Sequence, residues 1–149
     1  MPEKTENEIL NHLVARAYRS LLQYAVECWP WTTLTESIGS AAPEQQAVEQ
    51  IAARQQAFVG RLVELLIDRG ETVDFGNFPD NSELHYVSLD FLLGKLIADE
   101  QNLVAELEAA QGALHNDPSA AGLVSELLAA EQANIARLRE LAAKAPAAV

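Results

Sequence analysis

Cysteine is nearly missing from the 149-residue chain: Cys28 stands alone. A single thiol excludes an internal disulfide framework and fits a reducing compartment. Basic residues are scarce as well. Ten Lys and Arg face 22 Asp and Glu, for a formal net charge of −12. That surface repels nucleic-acid phosphate and anionic lipid, so neither is an expected partner. No apolar run approaches the ~20 residues that a membrane span needs. The opening MPEKTENE has no basic-then-apolar pattern of a signal peptide. The expected location is the cytoplasm. No Ser-His-Asp set, phosphate loop or zinc-ligand spacing appears, which leaves those enzyme classes without support.

What is present favours helices. Leu, Ala and Glu dominate, while Gly and Pro fall mainly between apolar stretches. The length suits one domain over residues 1–149 with a sizeable core. The spacing predicts a first helix over 6–28, opened by a Thr5–Glu8 capping box and stopped by Pro30. Its apolar stripe is Leu10, Val14, Ala17, Leu21, Tyr24 and Cys28. A second helix over 43–69 has Pro43 in its first turn and Gly70 as its C-terminal cap. Its stripe runs Val48, Ile51, Gln55, Phe58, Leu62 and Leu65. The third, over 83–110, carries Leu89, Leu93, Leu96, Glu100, Leu103 and Leu107. The fourth begins at Asp117 and Pro118, a cap followed by a first-turn proline. Its stripe runs Val124, Leu127, Glu131, Asn134, Leu138 and Leu141. The tail AAKAPAAV is expected to fray. Trp29 and Trp31, in the first connection, are expected to cap one end. The connection over 71–82 could span ~43 Å fully extended, against ~40 Å for a 27-residue helix. An all-α, antiparallel four-helix bundle follows, and a long crossover between helices 2 and 3 is open to it.

Polar residues interrupt these stripes near mid-helix: Gln55, Glu100, Glu131 and Asn134. Two carboxylates at one depth oppose each other's ionisation and lose hydration. A metal such as iron or manganese is one compensation, since carboxylates on facing helices are its usual cage in bundles. A shared proton is another. A third is a hydrogen-bond network of Tyr24, Gln55 and Asn134, with Arg54 as counter-charge. The histidines do not complete a site: His12 faces outward, His115 lies in a loop, and His85 is ~22 Å along its helix from Glu100.

The four helices resemble the ferritin-like superfamily in its bacterioferritin and rubrerythrin style. ILNHLVARAYRSLLQYA is similar to the family's L-N-x-x-L-x-x-x-E-x-x-x-x-N-Q-Y opening. QQAFVGRL and LLAAEQANIARL stand where the family has E-x-x-H-A-x-x-L and E-x-x-H-I-x-x-L. LIADEQNLV matches the segment holding its third-helix Glu. The resemblance implies a bundle built around a di-iron site for oxidase, peroxidase or storage chemistry. Carried over, its six ligands fall on Ala17, Gln55, Phe58, Glu100, Glu131 and Asn134, and its bracing tyrosine on Tyr24. Only Glu100 and Glu131 keep ligand chemistry, and Phe58 would fill the space of a ligand. The resemblance therefore implies a degenerate site with no resident cofactor. The function expected is a non-catalytic structural or protein-interaction role, with an unidentified protein as partner. The alternative is metal binding or weak oxidase activity at Glu100 and Glu131. Leu13, Leu22, Val59 and Val63 lie off the stripes, and an extra apolar strip of that kind predicts a homodimer.

Overall fold

The computed structural model describes residues 5–27, 42–81 and 89–144. The expectations for Cys28, Trp29, Trp31, Ser82, His85 and the tail from 145 lie outside them. All regular structure among the described residues is helical: α1 (Glu6–Tyr18), α2 (Leu21–Glu27), α3 (Ala42–Asp68), α4 (Leu89–Ala113) and α5 (Pro118–Lys144). Local chemistry sets the ends. Thr5 Oγ1 accepts the Glu8 N–H at 3.1 Å and caps α1. Gly70, at φ 78°, ends α3: its N–H reaches Ile67 O at 2.9 Å and the Glu71 N–H reaches Leu66 O at 3.0 Å. This is the paired closure that a left-handed residue permits. Asp117 Oδ1 accepts the Ala120 N–H at 3.3 Å, ahead of Pro118 at the first position of α5.

The first predicted helix is two helices. Ser20 N–H turns back to Ala17 O at 3.3 Å, a tighter closure than the α-helical one, and α2 restarts at Leu21. Ser20 Oγ accepts the Gln23 N–H at 3.3 Å, and Asp99 Oδ2 accepts the Leu21 N–H at 2.9 Å. Both satisfy free amides at the start of α2. The restart shifts the buried face. Leu22, Gln23 and Ala25 are buried, whereas the expected Leu21 and Tyr24 are half-buried.

The 71–81 segment lies along α1. Asn7 Nδ2 donates to Glu71 at 3.0 Å, Asn11 exchanges hydrogen bonds with the Asp74 backbone at 3.0 and 2.9 Å, and Arg19 Nε donates to Gly76 O at 3.1 Å. Tyr18 meets Phe75 at 5.0 Å between ring centroids, and Tyr24 meets Phe78 edge-on at 5.5 Å. Gly76 has φ 68°, and a Cβ there would stand 3.2 Å from Ala15 Cβ. The left-handed backbone and this tight approach both favour glycine at that point.

α1 and α5 each pack on α3, α4 packs on α5 and α1, and α2 lies against α3 and α4. Two apolar clusters result. One joins Leu10, Leu13, Val14, Ala17, Val59, Leu62, Leu103, Leu107 and Leu127 with their neighbours. The other joins Leu22, Val48, Ile51, Leu92, Leu93, Leu96 and Leu138 with theirs. Each fully buried Leu or Ile contributes roughly 1.5–3 kcal/mol of transfer free energy. On α3 the face drifts from the expected Phe58 and Leu65 to Val59 and Leu66, as a 3.6-residue turn does against a heptad template. Leu13, Leu22 and Val59 are core residues and Val63 packs against the core, so the apolar strip expected for a dimer is not on the surface. Among the described residues no helix is long and apolar enough to cross a membrane.

Candidate functional site

Between the two apolar clusters, Ser20, Gln23, Gln55, Glu100, Glu131 and Asn134 are the buried polar side chains among the described residues, all at 3 % exposure or less. Ser20 and Gln23 come from the α1–α2 restart, Gln55 from the middle of α3, Glu100 from α4, and Glu131 and Asn134 from α5. Gln55 is the hub. Its Oε1 accepts the Ser20 hydroxyl at 2.8 Å and Gln23 Nε2 at 2.9 Å. Its Nε2 donates to Glu100 Oε1 and Glu131 Oε1, each at 3.0 Å. Asn134 Nδ2 reaches Glu131 Oε2 at 3.4 Å.

Burial pushes the Glu100 carboxyl up to about 10; its hydrogen bond with Glu131 and the negative charge of Glu131 add to the rise, while Gln55 opposes it. The pair therefore holds a proton at neutral pH, and the hydrogen bond between the two carboxyls uses it. Among the described residues no cation is paired with them, and Arg54 is exposed. Arg16 is committed instead to Asp99 at 2.9 Å and Glu106 at 2.7 Å.

The sequence-predicted quartet of Gln55, Glu100, Glu131 and Asn134 thus meets in one layer. Tyr24 is half-buried against Phe78, and the hydroxyl and amide that hold Gln55 come from Ser20 and Gln23. Phe58 is half-buried beside the first apolar cluster, with Arg61 over its ring at 5.6 Å, and does not fill the layer. Ala17 belongs to that same cluster. His12 is exposed and contacts Glu106 at 3.1 Å. Exposed His115 contacts Gly112 O. The signal for Ser20 and Gln23 was in the sequence: Ser-x-x-Gln is a capping-box pattern.

A di-iron or dimanganese centre needs bridging carboxylates and imidazoles facing an open position. This layer offers two carboxyls sharing a proton, with an amide nitrogen donating to both. Among the described residues no group of three or more His, Cys, Asp or Glu is placed to hold a metal ion. The donor set does not fit such a centre. No protein-family model matches the chain, and no curated protein or solved structure matches it.

Proposed function

We propose that the chain is an antiparallel, ferritin-like bundle with a long crossover between α3 and α4, in which a proton and an amide replace the di-iron centre, and that its role is structural or protein-binding, without catalysis. The observation that carries this reading is the Gln55 amide donating to Glu100 and Glu131 together, where a metal site would need acceptors. The antiparallel arrangement is supported by Arg69, at the end of α3, reaching Asn7 at the start of α1 and Asp117 at the start of α5. The crossover is supported by the 71–81 segment following α1 and α2 from Asn7 to Tyr24. With Leu13, Leu22 and Val59 committed to the core, the partner is one that recognises the acidic polar exterior rather than an apolar strip.

The test is the metal content of the purified chain together with its ferrous oxidation. The expected result is substoichiometric iron, manganese and zinc, with ferrous ion oxidised no faster than in buffer alone. One tightly held metal per chain, lost on Glu131→Ala, would overturn the reading.

A further inference from the structure

We infer that Gln55 decides what the buried layer holds: its amide is locked nitrogen-first toward Glu100 and Glu131, and this excludes a divalent cation that a carboxylate at position 55 would admit. The inference rests on the proposed proton-and-amide reading and names the residue responsible for it.

The lock begins at a group whose polarity has no alternative. The Ala52 carbonyl can only accept, and Gln23 Nε2 lies 2.9 Å from it. That contact fixes which end of the Gln23 amide is nitrogen. The same nitrogen lies 2.9 Å from Gln55 Oε1, so that end of Gln55 is oxygen. Ser20 agrees: its Oγ accepts the Gln23 N–H, which leaves its hydroxyl proton for Gln55 Oε1 at 2.8 Å. The NH2 of Gln55 must then face the carboxyls, one N–H to each at 3.0 Å. A reversed Gln55 would set two NH2 groups against each other at Gln23 and aim an oxygen at two carboxyls. Each of those leaves a buried group without its partner, so the observed orientation is the one the layer enforces.

A divalent ion between Glu100 and Glu131 would meet the hydrogens of that NH2 and would have to displace the shared proton. Glutamate at 55 has the same length. It can accept Gln23 and Ser20 with one oxygen and turn the other toward the pair. Three carboxylate oxygens then converge from α3, α4 and α5, the donor type that hard, oxygen-preferring ions such as Mn2+ take. Binding would release the Glu100 proton, so uptake by the variant should strengthen as pH rises.

The experiment compares the wild-type chain, Q55E and the double variant Q55E/E131A, each titrated with Mn2+ near neutral pH, reading free Mn2+ by electron paramagnetic resonance and thermal stability in parallel. Q55E is expected to take one Mn2+ per chain, at least about 100-fold more tightly than wild type, with an unfolding midpoint that climbs with Mn2+ concentration. The double variant is expected to lose that uptake. If Q55E unfolds without metal, recovery of its helical circular dichroism on adding Mn2+ is the same positive result. Q55E without Mn2+ uptake, Q55E still unfolded with Mn2+ present, or uptake that survives E131A each overturns the inference and leaves the wild-type reading standing. Mn2+ uptake by the wild-type chain at the strength of Q55E overturns both.

Discussion

Asp117 and Glu100 are carboxyl groups held by partners 48 and 45 residues away in the chain, yet their surroundings move them in opposite directions. Asp117 faces the Arg69 guanidinium through two hydrogen bonds of 2.8 Å, and that contact holds its carboxyl below the ordinary range. Partial exposure lets both charges keep some hydration, so the pair need not offset full desolvation. Glu100 has no exposure and faces a second carboxyl, and it keeps a proton instead of a charge. The bundle thus treats these two acids differently: Asp117 is an ion where a cation and water can both reach it, and Glu100 is a neutral donor beside a second buried carboxyl. The difference lies in where each helix places the group, since the chemistry of the two side chains is nearly the same.

The comparison can be broken most severely at Gln55. Gln55→Leu leaves Ser20, Gln23, Glu100 and Glu131 buried without their common partner, and should cost about 3–5 kcal/mol in urea melts. A loss below about 1 kcal/mol would mean that water fills the layer and that Glu100 is not dry. Glu100→Gln sharpens the contrast from the other side, because glutamine mimics the protonated acid. The Glu100 carboxyl rises from 4.5 to about 10 on folding. Its stabilising effect is therefore complete below 4.5 and fades as pH climbs through neutrality toward 10. The wild-type chain should lose stability relative to Glu100→Gln across that window, by up to about 3 kcal/mol at pH 7. Chemical denaturation at pH 5, 7 and 9 gives the slope; parallel curves for the two proteins would refute it. Glu131→Gln should likewise be neutral or stabilising near pH 7.

Asp117→Asn should cost about 1–2 kcal/mol near neutrality through the lost charge of the ion pair, since asparagine caps a helix as well as aspartate does. The sign is opposite to that of Glu100. The lowered Asp117 carboxyl contributes stability above its ordinary value of 3.8 and loses it as pH falls through the folded value. The gap between Asp117→Asn and wild type should close in acid, and a gap that widens there would contradict the pairing. Smallest of all is the exposed Arg61–Glu126 pair, at 2.7 Å with side chains 47 % and 53 % exposed. Arg61→Ala should move the thermal midpoint by no more than about 2–4 °C, since exposed pairs contribute roughly 0–1 kcal/mol.

How much of this was legible in the sequence depended on helix phase. Glu100, Glu131 and Asn134 sat in phase with the apolar residues of α4 and α5, so periodicity alone placed them in the core. Gln55 was also placed correctly, because it precedes the drift that replaced Phe58 and Leu65 by Val59 and Leu66. The first predicted helix failed at Ser20. Reading across the restart as one helix carried the stripe onto Leu21 and Tyr24 and missed Gln23, the residue that orients Gln55. Tertiary contacts decide that break. The Asp99 carboxylate that receives the Leu21 N–H is 78 residues away in the chain, beyond any local rule. Leu13, Leu22 and Val59 were assigned to the surface for a related reason. Helices that touch several neighbours bury a wider face than a single seam supplies.

The hydroxyl of Ser20 belongs to two structures at once, accepting from the Gln23 amide at the start of α2 and donating to Gln55 in the layer. A seven-residue helix such as α2 has no persistence of its own in water. Its amides would ordinarily exchange with solvent deuterium at the rapid rate of a frayed end. Tied through Ser20 to the middle of the bundle, the Gln23 amide can open only when the layer opens. It should exchange on the slow timescale of the amides around Gln55 and Glu131, and Ser20→Ala should release it to the fast one.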